Sequence, residues 1–213
     1  MTVVLVHGLW VPGALMHPLA ARLAALGHRC RTFSYLGAVR PLHVHAERLA
    51  RFARELAAEE GRDGKGGAAH FVGHSMGGLV ILDALQAHPD LAVGKVVLLG
   101  SPVRGCFAGR RLARHPAGRW FLGQSEALWR EDALRHWRRP EPLGVLAGSL
   151  PLGLGRLFGA LPGTNDGVVS LEETDVDGMR ERVVVPVGHS QMLLSARVAA
   201  QVDAFLRHGA FLR

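Results

Sequence analysis

The chain has 213 residues, 48% of them hydrophobic and 20% charged, with a formal net charge of +7. That length suits one domain, that composition excludes a disordered chain, and no apolar run reaches the roughly 20 residues needed to span a bilayer. Two cysteines, Cys30 and Cys106, are too few for a disulfide framework and read as reduced, largely buried thiols.

The chain opens on Met1-Thr2-Val3-Val4-Leu5-Val6, without a basic start or a small-residue cleavage site, so no secretory signal and a cytoplasmic location are expected. Val3 to Val6 is a continuous apolar run rich in β-branched valine, as in a strand buried on both faces. His7-Gly8-Leu9-Trp10-Val11-Pro12-Gly13 follows as a loop. Leu15, Leu19, Leu23 and Leu26 recur at helical spacing, and Gly27 supplies the stop. Cys30 to Tyr35 predicts a second strand. Leu42, Ala46, Leu49, Ala53 and Leu56 mark a second helix ending near Gly61. Ala68 to Val72 predicts the third strand, and Gly73-His74-Ser75-Met76-Gly77-Gly78 turns it into a helix that ends before Pro89. Val96 to Leu99, Leu143 to Ala147 and Arg182 to Val187 predict three more strands. Ser190 is expected to cap a last helix, with Leu194, Val198, Val202 and Phe205 inside and Gly209 beyond its end. Apolar strands alternating with helices predict a doubly wound parallel sheet with helices on both faces.

Residues 101–140 break that rhythm and read as a small helical insertion or cap, with Trp129, Ala133 and Trp137 on one helical stripe and Glu131 paired with Arg135. Nine arginines against Glu126, Glu131 and Asp132 leave this segment at +6, nearly all of the molecule's excess charge. It reads first as a solvated surface, and otherwise as a site of attraction for anionic lipid, polymer or nucleic acid.

Gly73-His74-Ser75-Met76-Gly77 matches the G-x-S-x-G elbow, in which a serine sits on a sharp strand-to-helix turn. Side chains at Gly73 and Gly77 would clash with the neighbouring backbone in such a turn. The turn also aims the Met76 amide at the space before Ser75, helped by the positive end of the helix. A serine needs a base, and His189 leaves the carboxyl end of the last strand, on the same sheet edge as Ser75. The base needs a carboxylate to fix its tautomer. Asp166 lies in the loop before that strand. Asp83 and Asp90 fall on or after the helix that follows the elbow, and Asp175 and Asp177 belong to an acidic run that reads as solvated. The Leu9 N–H, after His7-Gly8, can join the Met76 N–H as an oxyanion donor. His74 is expected to give structural support.

Together, His7-Gly8-Leu9-Trp10, Gly73-His74-Ser75-Met76-Gly77-Gly78, Asn165-Asp166-Gly167-Val168-Val169 and Gly188-His189-Ser190 resemble the α/β-hydrolase superfamily, in its small bacterial lipase and esterase branch. The resemblance implies a Ser75–Asp166–His189 triad, oxyanion amides at Leu9 and Met76, and acyl transfer to water through an acyl-serine. The fuller family fold carries two strands ahead of the one ending in His7-Gly8. The sheet here is therefore expected to be minimal, with about six strands in the order 2-1-3-4-5-6.

The apolar, glycine-broken stretch 150–161 leads to Asp166. Leu154 and Phe158 within it, with Trp10, are the candidate substrate-binding residues. Trp120, Trp129 and Trp137 read either as pocket lining or, preferably, as core. The expected substrates are short- to medium-chain carboxylic esters, small or lipid-like, with no cofactor and no metal. An amidase or acyltransferase with the same triad is the nearer alternative. A non-catalytic binding protein gripping an anionic partner through the arginine-rich segment is the remoter one. No nucleic-acid-binding motif is present, and His43-x-His45 and His70-x3-His74 lack a third ligand, so neither nucleic acid nor a metal is expected as a partner.

Overall fold

The computed structural model describes residues 1–10, 12–62, 67–130, 136–152, 161 and 163–213. Six strands, β1 (Thr2–Val6), β2 (Arg29–Phe33), β3 (Ala69–His74), β4 (Val93–Leu99), β5 (Leu143–Gly148) and β6 (Glu181–Val185), form one sheet in the order β2-β1-β3-β4-β5-β6. Every pairing is parallel. The register sets Val6 beside Gly73, His74 beside Leu99 and Leu99 beside Leu146. The carboxyl ends of the central strands therefore line one rim. The strand order reverses between β1 and β3, which opens a crevice at their carboxyl ends, where doubly wound sheets hold ligands.

Alternation along β1 divides the core. Val4 and Val6 face a cluster built with α2 (Leu42–Arg62) and α3 (Met76–Ala87). Val3 and Leu5 face one built with α1 (His17–Ala25) and α7 (Ala196–His208). All five α2 positions read from the sequence are buried. In α1 only Leu19 and Leu23 are; Leu15 and Leu26 are exposed, and Gly27 ends the segment at φ +88°.

Three differences from the sequence reading have physical causes. β6 stops at Val185, short of the expected Val187, because the Val187 N–H turns back onto the Val185 carbonyl at 2.8 Å; at the edge place that the expected strand order gives it, Val184 is exposed and only Val185 is fully covered. Ser190 does not cap the last helix. It begins a 3-10 turn over Ser190–Leu193, Leu194 is exposed, and Ser195 is the cap, its hydroxyl accepting from the Val198 N–H. Of the helix expected through Trp129 and Trp137, α6 (Glu126–Arg130) is the described part. Trp137 lies instead in an extended segment whose N–H donates to the Asp177 carbonyl at 2.7 Å. Ala133 and the Glu131–Arg135 pair fall outside the described residues.

Between β4 and β5 the chain forms α4 (Phe107–Leu112), α5 (Pro116–Leu122) and α6. Arg139, counted above with a solvated basic segment, is instead a fastener. Its guanidinium donates to the Leu85, His88 and Leu91 carbonyls, in and just past the last turn of α3, at 2.8, 3.1 and 3.0 Å, and pairs with Glu141 at 2.8 Å. Glu173, in the same acidic run as Asp175 and Asp177, is buried. It accepts from the Ser170 and Phe107 N–H groups, tying the loop after Asp166 to the start of α4. No helix among the described residues is long and apolar enough to cross a membrane.

Candidate active site

Ser75 follows β3 with φ 54° and ψ −126°, a conformation that L-residues rarely adopt. The turn closes because its N–H donates to the Leu99 carbonyl at 2.9 Å and its carbonyl accepts from Gly78 at 3.0 Å. The glycines are required by space. A Cβ on Gly77 would lie 2.2 Å from the Val6 carbonyl oxygen, and one on Gly73 would lie 2.6 Å from the Gly78 nitrogen. A Cβ on Gly8 would lie 2.9 Å from the Ser75 Cβ, so glycine there lets the loop after β1 lie directly against the serine. Leu9 and Trp10 continue that loop. Trp10, at φ 59°, is the other non-glycine residue of positive φ among the described residues. Backbone strain thus gathers on both sides of the crevice. Met76 opens α3, so its amide has no acceptor within the helix, while its side chain is buried in the core.

Asp166 and His189 meet across the loops that flank β6. The His189 Nδ1–H donates to Asp166 Oδ2 at 2.7 Å, which leaves Nε2 with the lone pair. The other carboxylate oxygen accepts the Val168 and Val169 N–H groups at 2.9 and 2.8 Å, and the His189 N–H donates to the Asp166 carbonyl at 2.9 Å. Burial pushes the Asp166 carboxyl up, but the facing imidazole and the two amides outweigh it and hold the group below its ordinary range. Asp175, the fallback for that carboxylate, pairs with Arg182 and Arg104.

Two further histidines shape the surroundings. His7 donates from Nδ1 to the Gly8 carbonyl at 2.8 Å and accepts the Tyr35 N–H at Nε2, 3.1 Å away. Both nitrogens are committed to a neutral ring, and burial lowers its affinity for a second proton. His74 donates from Nε2 to the His189 carbonyl at 3.1 Å, with the two rings 4.7 Å apart. Burial and the neighbouring His189 push it down to about 3, so it stays neutral and props the backbone of His189.

A cavity of about 290 Å³ opens at the crevice, and Ser75, His189, Leu9 and Trp10 all border it. Its wall is largely apolar, with Pro102, Ala108, Leu112, Leu122, Trp129 and Val168 contributing. Trp129 is buried and packs on Gly109, where a Cβ would lie 2.7 Å from its ring; its indole N–H donates to Ser125 Oγ at 3.1 Å. Cys106 joins the wall. Burial first, and then nearby Glu173, push its thiol up to about 12, so it remains protonated. Trp120 projects into solvent, and Trp137 sits in the core with its indole on the Glu141 carbonyl. Leu154 and Phe158 fall outside the described residues.

Sequence reasoning missed two glycines at this site. A Cβ on Gly100, which follows β4 at φ 53°, would lie 2.9 Å from Asp166 Oδ2 and 3.1 Å from His189 Nδ1. A Cβ on Gly148 would lie 2.7 Å from the Asp166 Cβ. Each follows or ends an apolar central strand, which is the signal that could have found them.

A family model for the alpha/beta hydrolase family matches residues 3–208. The chain belongs to that family. A mature lipase from Bacillus licheniformis superposes with a TM-score of 0.74 at 18% identity, covering 99% of this chain and 92% of the lipase. A metagenomic carboxyl esterase superposes at 0.68 and 18%, covering 97% of this chain and 75% of the other. A lipase-esterase related protein from Clostridium acetobutylicum superposes at 0.66 and 15%, covering 96% and 93%. No curated protein sequence matches significantly.

Proposed function

We propose that this hydrolase-family chain is a serine carboxylic-ester hydrolase acting on short- to medium-chain acyl groups, with Ser75 as nucleophile, His189 as base and Asp166 as its orienting carboxylate. The reading rests above all on one observation: the hydrogen-bonded Asp166–His189 pair borders the same cavity as a serine held at positive φ on its elbow.

Ser75 Oγ forms a bond to the ester carbonyl carbon as its proton passes to His189 Nε2. Asp166 stabilises the imidazolium through Nδ1. The Leu9 and Met76 amides receive the charge that builds on the carbonyl oxygen, each donor of this type being worth about 3 kcal/mol. The tetrahedral centre collapses, the alkoxide leaves with the proton from His189, and the acyl-serine remains. Water then repeats the sequence, delivering its proton to His189, and the acid departs as Ser75 recovers its hydrogen. Residues 101–140 serve as a cap whose α4 to α6 wall the acyl side. The apolar lining and the modest volume favour chains shorter than those of bulk fats, and the names of the structural neighbours agree with an ester substrate. Trp10, at the mouth, contacts the departing alcohol side.

The test is turnover on matched ester, amide and alcohol-acceptor substrates. Ser75→Ala is expected to lose about 10⁶-fold in ester turnover and Asp166→Asn about 10⁴-fold. Ester hydrolysis that survives Ser75→Ala removes the assignment, and amide cleavage in place of ester cleavage makes the chain an amidase.

A further inference from the structure

Large apolar side chains stand exposed at the mouth of the cavity and on α5 beside it. Trp120 is 84% exposed, Leu36 70% and Val39 58%; Trp10 and Phe121 are exposed beside them, their rings 4.8 Å apart. Trp120 precedes Phe121 on α5, and the others adjoin two neighbouring cavities. Trp10 and Phe121 both border the main cavity, while Trp10, Leu36 and Val39 border a smaller cavity beside it. The Gln124 N–H donates to the Ala38 carbonyl at 2.8 Å, which clamps the end of α5 against the loop that carries Leu36 and Val39. An exposed apolar patch with a polar margin marks an interaction site.

The margin is basic. Residues 107–124 hold four arginines and no acid, and Arg40 follows Val39 directly. Arg40, Arg111, Arg114 and Arg119 are exposed, and none has a carboxylate partner among the described residues. Arg119 adjoins Trp120 in sequence. α5 packs against the end of α4, where a Cβ on Gly118 would lie 1.9 Å from the Leu112 carbonyl oxygen, so Arg111 and Arg114 belong to the segment against which the helix carrying Trp120 and Phe121 is seated.

Aromatic side chains backed by unpaired arginines match a surface whose interior is apolar and whose face is negative. We propose that the α4–α5 segment, with the Leu36–Arg40 loop, docks this protein on an anionic phospholipid surface. Trp120 enters the headgroup boundary, the arginines lie against phosphate, and the cavity mouth faces the lipid. Trp and Arg suit that boundary because each joins a broad nonpolar body to a polar tip. A soluble polyanion would engage the arginines and leave Trp120 and Leu36 in water. A neutral membrane would leave the arginines without partners.

Docking needs none of the ester chemistry above, so vesicle binding by the Ser75→Ala chain tests it separately. Sedimentation with phosphatidylcholine vesicles is compared with vesicles containing about one-third phosphatidylglycerol. Binding is expected to the anionic vesicles alone, and to fall as salt rises from about 0.1 M to about 1 M. Trp120→Ser should weaken it at least fivefold, and Arg114→Gln and Arg119→Gln about fivefold each. Unfolding midpoints measured in parallel establish that each variant is folded. Equal binding to both vesicle types, binding to neither, full binding by Trp120→Ser, or displacement by a short DNA duplex overturns the proposal.

Discussion

At the scale of single residues, hydrogen bonds assign the histidines their tasks. His7 and His74 have a ring nitrogen bound to a carbonyl and are buried neutral, so they act as rigid spacers. His189 alone of the three gives its ring N–H to a carboxylate, and that frees Nε2 for a proton. The sequence could nominate His189 because it follows a strand, but the notch at Gly100 that admits the pair became visible only when β4 and the Asp166 loop met in space. Trp129 was read as core, and it is both core and cavity wall. Its replacement should move chain-length preference. Trp129→Leu is expected to shift the best acyl substrate to longer chains while lowering kcat/KM for the shortest, because binding of a short chain in an enlarged pocket loses contacts. Initial rates across a graded series of acyl esters check this, and an unchanged profile places the acyl group elsewhere.

At the scale of elements, helix ends and strand ends decide what periodicity leaves open. The α3 stripe was legible, but the group that satisfies its last carbonyls was not, since Arg139 lies 48 residues beyond the nearest carbonyl it holds. Its fork reaches three carbonyls and Glu141 at once, and the hydrogen bonds from Arg139 hold that carboxyl below its usual range. Arg139→Met should therefore destabilise the fold by about 2–3 kcal/mol, whereas exposed Arg138→Met should change it by less than about 0.5 kcal/mol. Urea unfolding of the two variants makes the comparison. Similar small changes in both would mean that the fork contributes little beyond what water offers. The same distance problem explains Glu173. Acid-rich runs normally face solvent, but this carboxylate is drawn inward by two main-chain donors from separate segments.

At the scale of the whole molecule, buried neutral bases set the response to acid. His70 accepts the Lys95 N–H at Nδ1, 2.9 Å away, and burial, then Lys95, push it down to about 4; burial pushes His74 to about 3. Both bind a proton more readily in the unfolded chain, whose histidines titrate near 6.5. Between that value and their folded values the unfolded state holds more protons, so stability rises with pH across the window and is lost as pH falls through it. Asp166, held low in the fold, acts in the same direction at the acid end. The urea midpoint is expected to fall steadily from about pH 6.5 to pH 4, and His70→Asn, whose amide oxygen can accept from Lys95, should flatten part of the fall. A midpoint that is constant with pH would show that these rings open to water before the chain unfolds.

What the sequence determined by itself is what local pattern and steric demand can encode. Apolar runs specified the parallel strands, the G-x-S-x-G spacing specified the strand-to-helix turn at Ser75, and separated motifs nominated the residues proposed to act with it. What tertiary structure decided is everything that depends on a partner distant in the chain. It turned Arg139 and Glu173 from surface charges into internal ties, and set Trp10 between the main cavity and the smaller one that Leu36 borders. The reason is that burial and charge pairing are properties of surroundings. A residue's surroundings, unlike its helical or strand period, are supplied mainly by parts of the chain far from it in sequence.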